Sequence, residues 1–238
     1  MGTALQLGDL RIDVVRKDIR NVHLSIHPPS GRARIAAPRH LSDDAIRAFA
    51  VGKLAWIRAR QKRLLEQERE SPREYLDRET HYVWGRRCLL RLVERDAPPS
   101  VEWRHHRLTL SVRPGTTPSR RGAILDGWYR DQLRAAAMPL AAEWRKRVGV
   151  HVGALFVQRM KTRWGSCNRD ARTIRLNTDL ARKPRECLEY VLVHELAHLI
   201  EPTHGAPFVA LMDRFMPHWQ HRRNQLNALP IRHQDWTY

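Results

Sequence analysis

The sequence contains little cysteine and no long apolar run, and both shortages limit the kinds of protein that it can encode. Its 238 residues include three cysteines, Cys88, Cys167 and Cys187, at wide spacings. An odd number of widely spaced cysteines predicts neither a disulfide framework nor a four-thiolate zinc knuckle, and it favours a reducing compartment. The most apolar stretch, Tyr190 to Ile200, is too short to cross a bilayer, which needs about 20 apolar residues. Residues 1–10 lack the features of a secretory signal, so we expect a soluble, cytoplasmic protein.

Lysine is scarce and acidic residues are outnumbered, which gives the chain a strongly basic balance. Of 43 basic residues only 6 are lysine, against 25 acidic residues, and the formal net charge is +18. The excess is spread evenly, because residues 1–117 and residues 118–238 each carry +9 and no basic tail is present. Such a balance permits an anionic partner, but an arginine bias can also reflect genome composition. A solvated basic surface is therefore the favoured interpretation, with a nucleic-acid site as the alternative.

Turn residues and hydrophobic periodicity predict two parts of different character. The run Pro114-Gly115-Thr116-Thr117-Pro118 is the strongest break, and it predicts a boundary between residues 1–117 and residues 118–238. The first part has alternating patterns typical of short antiparallel strands. It also contains one long amphipathic helix after the capping residues Ser42-Asp43-Asp44. No internal repeat is visible in the sequence.

The second part begins with apolar residues at helical spacing, which predict a long helix that ends near Gly149. Two strands are expected next, Ala154 to Met160 and Thr173 to Asn177. A further helix is expected from about Arg185. Tyr190 to Val193 and Leu199-Ile200 make that helix largely apolar, which predicts that the helix is buried.

The pentapeptide His194-Glu195-Leu196-Ala197-His198 places two histidines four residues apart on this helix. At 3.6 residues per turn the two side chains lie about 40° apart around the axis and roughly 6 Å along it, so both imidazoles can reach one ion. Burial of two imidazoles and a carboxylate costs several kcal/mol unless they are paired or bound to metal. Glu195 projects from a neighbouring angle, where a general base for a metal-activated water is expected.

A catalytic zinc needs three protein ligands and one open position, so a third ligand is required. The chain has no glutamate after Glu201, and Glu201 itself lies roughly 10 Å beyond His194 along the axis, too far to converge. Asp213, Asp235 and several histidines remain as candidates. His204 is favoured among them, because Pro202 should turn the chain after Ile200 and Gly205 frees the backbone beside it.

Short motifs between residues 161 and 229 form a series in a fixed order. They are Arg163-Trp164-Gly165-Ser166-Cys167, Ile174-Arg175-Leu176-Asn177, Pro184, the run from Tyr190 to Leu199, His204-Gly205 with Phe208, and Pro217 with Trp219, Arg222, Arg223, Leu226 and Asn227. This series resembles the YgjP-like metallopeptidases, relatives of the SprT and Spartan-type zinc proteases. It departs from the common pattern at Thr203, where Asn is usual, and at Val209, where Trp is usual.

The resemblance implies a zinc metallopeptidase that hydrolyses peptide bonds in a peptide or protein substrate. It implies one Zn²⁺ per chain, bound by His194, His198 and His204, with Glu195 as the general base. We expect an α+β fold in which a zincin-like catalytic domain follows a β-rich N-terminal part with one long helix. The catalytic domain would consist of a small antiparallel sheet and the HExxH helix. An extended substrate would add to a sheet edge above that helix, and Ile174 to Asn177 is the candidate edge.

Several alternatives remain open at the level of sequence. Arg163, His218 or His221 are candidates to stabilise the oxyanion, although a surface or packing role is favoured for each and none is assigned. Gly165 is expected to allow a bulge in a strand. The protein could instead be a protease recruited to nucleic acid, or a binding protein in which zinc only stabilises the fold. The sequence predicts no oligomeric state.

Overall fold

The computed structural model describes residues 3–27, 30–66 and 70–230, which form two compact units with their boundary between residues 69 and 70. The domain boundary predicted between residues 117 and 118 lies inside the second unit, at the start of its longest helix. Residues 1–117 and 118–238 as separate domains therefore stay a prediction.

The first unit is a four-stranded sheet with two helices. Its strands are β1 (Thr3–Leu7), β2 (Leu10–Lys17), β3 (His23–His27) and β4 (Arg32–Pro38), in the order β1-β2-β4-β3. Its helices are α1 (Asp43–Gly52) and α2 (Leu54–Glu66). Aliphatic side chains from the sheet and from both helices form one core, which includes Ile12, Ile35, Ile46 and Ile57.

Two predictions for this unit are wrong. The single long helix is interrupted, because α1 ends at Gly52 and the amide of Lys53 donates to the carbonyl of Ala50. Glycine is the weakest helix former after proline, which accounts for the interruption there. The start is as predicted, since the hydroxyl of Ser42 accepts a hydrogen bond from the amide of Ala45. The sheet is not wholly antiparallel either, because its central strands β2 and β4 are parallel.

The second unit begins with a sheet of the same topology. Its strands are β5 (Thr80–Val83), β6 (Arg86–Glu94), β7 (Ser100–Arg104) and β8 (Arg107–Val112), in the order β5-β6-β8-β7. As in the first sheet, the central pair is parallel and the outer pairs are antiparallel. Alternation of apolar residues, rather than residue identity, specifies such a sheet, and the repeated topology is therefore invisible as a sequence repeat.

The long helix α3 (Pro118–Val148) confirms the helix predicted to end near Gly149. Thr117 caps its first turn, and Gly149 ends it in the left-handed conformation with φ 77°. Pro139 lies inside the helix without ending it. One buried stripe of α3 packs on the core, and it includes Leu125, Tyr129, Leu133, Ala137 and Trp144. Neither α3 nor any other helix in the described ranges is long and apolar enough to cross a membrane.

The chain continues through β9 (Ala154–Gln158), β10 (Gly165–Asn168) and β11 (Thr173–Asn177) into a 3₁₀ helix (Thr178–Arg182). Three helices follow, α4 (Arg185–Ala197), α5 (Ala206–Phe215) and α6 (Trp219–Ala228). The predictions of β9, β11 and α4 are confirmed, and so is the mixed α+β class.

The sheet beside α4 differs from the predicted antiparallel one. Its order is β10-β11-β9, with β11 antiparallel to β10 and parallel to β9. Because β11 is the central strand, Ile174 to Asn177 is not an edge, and that prediction is wrong. The sequence predicts no bounds for β10 beyond a strand at Gly165, because β10 consists of only Gly-Ser-Cys-Asn and has no apolar alternation.

Helix α4 is buried on nearly all sides, as its composition predicts. It packs against α3, α5, α6 and β10. The side chains of Leu192, Val193 and Leu196 are fully buried. Its surroundings hold the helix rigidly, and this fixes the direction of the polar side chains that it carries.

Candidate metal centre

His194 and His198 lie one turn apart at the C-terminal end of α4. Their Nε2 atoms are 3.2 Å apart, so both imidazoles point to the same place. The helix ends at Ala197, and His198 is its C-cap residue. The four-residue spacing and the end of the helix together aim the two rings at one point.

His204 joins these two histidines because the chain reverses after α4. The carboxylate of Glu201 accepts hydrogen bonds from the amide and the hydroxyl of Thr203, at 3.0 and 2.7 Å, which stabilises the reversal beside Pro202. The Nε2 atom of His204 then lies 3.1 Å from Nε2 of His194 and 3.1 Å from Nε2 of His198. The structure therefore brings together the three histidines that the sequence singled out.

The spacing of the three Nε2 atoms fits a tetrahedral metal ion. Zinc–nitrogen bonds of about 2.05 Å at tetrahedral angles place ligand atoms about 3.3 Å apart, close to the observed distances. In the described part of the chain, His194, His198 and His204 form the one group of at least three His, Cys, Asp or Glu side chains that lie close enough together to hold an ion. Asp213 instead accepts a hydrogen bond from Trp219 Nε1 at 2.7 Å, and Asp235 lies outside the described residues.

Protonation and tautomer also suit the histidines to a cation. Burial first, and then the charges of the neighbouring imidazoles and Arg223, together lower the pKa of His194 to about 3. The Nδ1–H of His198 donates to the carbonyl of Glu201 at 3.1 Å, which leaves its Nε2 lone pair free for a metal. His194 Nδ1 is buried and has no hydrogen-bond partner among the described residues.

Phe208 lies beneath all three imidazoles. Its ring centroid is 4.9 Å from that of His194, 4.6 Å from that of His198 and 4.9 Å from that of His204. The side chain is 1% exposed, on the buried face of α5. One rigid aromatic ring therefore packs against the whole histidine group, and sequence reasoning gave it no role at the site.

Glu195 is held in a buried position against β10. Its side chain is among the buried charged groups, and burial raises its pKa to about 7, an effect that the charge of Arg163 opposes. Gly165 is the point of contact, since a Cβ atom there would lie 2.7 Å from Oε1 of Glu195. Gly165 pairs regularly with Leu176 across the sheet, so the bulge predicted there is wrong.

The histidines and Glu195 open into a cleft of about 640 Å³. Strand β10 supplies Gly165, Ser166 and Cys167 to its wall, and α6 supplies Arg223, Leu226 and Asn227. Among the residues considered for the oxyanion, Arg163 lines this cleft, whereas His218 and His221 do not. Cys167 lines the cleft, but its sulfur is not part of the histidine group.

The fold and the site define an α+β protein with a candidate metal-dependent hydrolytic centre. The chain belongs to the YgjP-like family, because the sequence model of the YgjP-like metallopeptidase domain matches residues 20–229. Comparison with the curated proteins gives no match.

Two solved structures are similar to part of this chain. The metallopeptidase zymogen of Pyrococcus abyssi abylysin is 20% identical, with a TM-score of 0.36 over 38% of this chain and 90% of its own. The metallopeptidase zymogen of Methanocaldococcus jannaschii jannalysin is 18% identical, with a TM-score of 0.34 over 38% of this chain and 92% of its own.

The family match confirms two predictions, the YgjP-like resemblance and the enzyme class. The protein is a metallopeptidase, a hydrolase whose substrates are peptides or proteins. The family implies a metal ion, typically zinc, and the histidine group fits one. The relation to SprT and Spartan-type proteases, the cytoplasmic location and any nucleic-acid partner stay predictions.

Proposed function

We propose that this protein is a zinc peptidase with a zincin-like catalytic domain. His194, His198 and His204 would bind one Zn²⁺ per chain, and Glu195 would be the general base. The observation that carries the proposal is the convergence of the three Nε2 atoms to within 3.1 to 3.2 Å of one another. Glu195 follows the first of them on the same helix and lines the same cleft.

A bound zinc ion supplies Lewis-acid polarisation of the scissile carbonyl and lowers the pKa of a water molecule towards neutrality. Glu195 then accepts the proton of the attacking water and delivers it to the leaving amine. Glu195 is suited to both transfers by its position, because its buried carboxylate lines the same cleft as the three histidines.

Strand β10 is the candidate platform for the substrate. It pairs with β11 on one side, and among the described strands no other pairs with it. Its residues Gly165, Ser166 and Cys167 line the cleft beside Glu195. An extended peptide that hydrogen-bonds to the open edge of β10 would therefore present its backbone carbonyls to the histidine group.

Two variants test the proposal when zinc content and peptide hydrolysis are measured on the same preparations. Glu195→Gln should keep zinc near one per chain and lower kcat by at least about 10³-fold, since it removes the base but not the ligands. His204→Ala should lose both zinc and activity. His221→Ala, an exposed histidine outside the cleft, is the matched control and should behave like the wild type.

Unchanged turnover in Glu195→Gln would contradict the assignment of the base. Wild-type protein that binds zinc but hydrolyses no peptide would favour the alternative in which zinc only stabilises the fold. Full zinc occupancy in His204→Ala would remove His204 from the ligand set.

A further inference from the structure

Three arginines line the cleft without a close ion pair, although the charge of Arg169 acts on the exposed Glu201. Arg163, Arg169 and Arg223 all face it, and none forms an ion pair with any residue in the ranges 3–27, 30–66 and 70–230. Of the two adjacent arginines of α6, Arg222 forms an ion pair with Glu189 at 2.8 Å, whereas Arg223 forms none within these ranges. The guanidinium of Arg222 is therefore occupied by an ion pair, whereas its neighbour Arg223 lines the cleft.

The positions of the three arginines follow the path proposed for the substrate. Arg163 precedes β10 by two residues, and Arg169 follows its last residue directly. Arg223 comes from α6. The charge of Arg163 acts on Glu195, and that of Arg223 acts on His194, so both lie near the reacting centre.

The guanidinium of the exposed Arg223 contacts a buried aromatic ring. Its central carbon lies 4.9 Å from the ring centroid of Trp219, in a cation–π contact. Trp219 is buried, and its Nε1 donates to Asp213 at 2.7 Å, which fixes the orientation of the ring. A planar guanidinium stacked on a fixed ring is suited to bidentate recognition of a carboxylate, at little entropic cost.

Negative charge is almost absent from the cleft. Glu195 is the one acidic residue among those that line it, and its side chain is 6% exposed. A cleft lined by one sign of charge raises the local concentration of ligands of the opposite sign and disfavours ligands of its own sign. Peptides with Asp or Glu side chains are therefore favoured over peptides with Lys or Arg.

We propose that the cleft selects peptide segments that carry Asp or Glu beside the scissile bond, with Arg223 as the main contact and Arg163 and Arg169 as contributors. The inference rests on the proposed function, because it names the substrate class of the same site. It commits to acidic peptide side chains rather than to nucleic acid as the occupant of the arginines.

The test uses a positional library of internally quenched peptides, and then a matched pair in which Glu residues flanking the cleaved bond are replaced by Gln. The wild type should hydrolyse the Glu peptide with a kcat/KM at least about 10-fold above that of the Gln peptide. Arg223→Gln should lower this ratio about 10-fold, the effect expected when a hydrogen bond to a charged group is lost. Arg130→Gln, an exposed arginine of α3 outside the cleft, should leave the ratio unchanged.

A binding measurement separates this inference from the proposed function. Zinc-loaded Glu195→Gln protein should bind the Glu peptide more tightly than the Gln peptide by fluorescence anisotropy, with a difference that shrinks as salt is raised from 50 to 500 mM. Equal affinity for the two peptides would overturn the inference, whether or not the wild type hydrolyses either one. Hydrolysis of both peptides at equal rates would overturn it while leaving the proposed function intact. A DNA oligonucleotide that stimulates hydrolysis while the Glu preference is absent would assign the arginines to nucleic acid instead.

Discussion

Gly165 and Glu195 approach each other so closely that no side chain fits between them. A Cβ atom on Gly165 would lie 2.7 Å from Oε1 of Glu195, 2.8 Å from its Cγ and 2.9 Å from Cγ1 of Val191. All three distances are shorter than real Cβ contacts. Strand β10 can therefore lie against α4 only because a glycine occupies this position, and the same contact fixes the carboxylate of Glu195.

Gly165→Ala should lower kcat by about 10²-fold while zinc content stays near that of the wild type. The added methyl group must displace the Glu195 carboxylate or separate β10 from α4, and a displacement of about 1 Å at a catalytic group costs that much in rate. The measurements are kcat for a fixed peptide and zinc per chain on the same sample.

Gly153→Ala is the matched control for this prediction. A Cβ atom there would meet the carbonyls of Ala171 and Arg172 at 3.6 Å, an ordinary contact, so activity should stay within about twofold of the wild type. Wild-type kcat in Gly165→Ala would show that the contact does not position the carboxylate. Loss of zinc together with activity would point to a disturbed ligand group instead.

Phe208→Leu should weaken zinc binding about 10-fold while leaving the protein folded. Phe208 contacts all three imidazoles, and a smaller side chain would leave room for each ring to rotate out of position. Zinc affinity by chelator competition and the absorption spectrum of the cobalt-substituted protein report on the geometry of the ligands. Thermal unfolding of the zinc-free protein measures separately how much the substitution destabilises the core.

Phe215→Leu, on the same helix but without contact to the imidazoles, is the control and should keep the wild-type affinity and spectrum. If Phe208→Leu loses thermal stability but binds zinc as tightly as the wild type, Phe208 serves the core and not the metal centre.

Much of the candidate site could be predicted because its signals are local. Two histidines four residues apart define one face of a helix, and Pro202 with Gly205 marks the reversal that brings His204 back. The start of α4 at Arg185 and the bounds of β11 were predictable for the same reason, since periodicity and turn residues act over a few positions.

The parts that sequence could not predict depend on partners far away in the chain. The parallel pairings of β2 with β4 and of β6 with β8 join strands that are not consecutive. Strand β10 differs from these, because it pairs with β11, its neighbour in the chain, although Gly-Ser-Cys-Asn does not itself favour extended structure. The contacts of Phe208 and the exposure of Arg223 to the cleft arise from helix packing. Periodicity predicts which face of a helix carries such residues, but it does not predict which residues they contact.

Glu79 forms a buried polar cluster far from the histidines in sequence. Its Oε2 accepts hydrogen bonds from the amides of Glu74 and Tyr75 at 2.9 and 2.6 Å, and its Oε1 lies 3.0 Å from Nε2 of the fully buried His81. Burial by itself would raise the pKa of Glu79. The hydrogen bonds and the contact with His81 outweigh that effect and lower the pKa from 4.5 to about 2.

This cluster predicts that the protein loses stability as pH falls from about 5 towards 2. Because the folded pKa of Glu79 lies below its unfolded value, its contribution is present above the unfolded pKa and is lost on acidification. The lowered pKa of Glu79 is equivalent to roughly 3 kcal/mol of unfolding free energy. Because solvent screens the partly exposed carboxylate, we expect Glu79 to contribute about half of this value. Burial also lowers the pKa of His81, which adds a loss in the same direction that begins nearer pH 6.5.

The check is urea unfolding between pH 7 and 3. Glu79→Gln should be less stable than the wild type at pH 7 and should lose less stability on acidification, whereas Glu74→Gln, at an exposed position, should follow the wild-type curve. Parallel curves for Glu79→Gln and the wild type would contradict the contribution of Glu79.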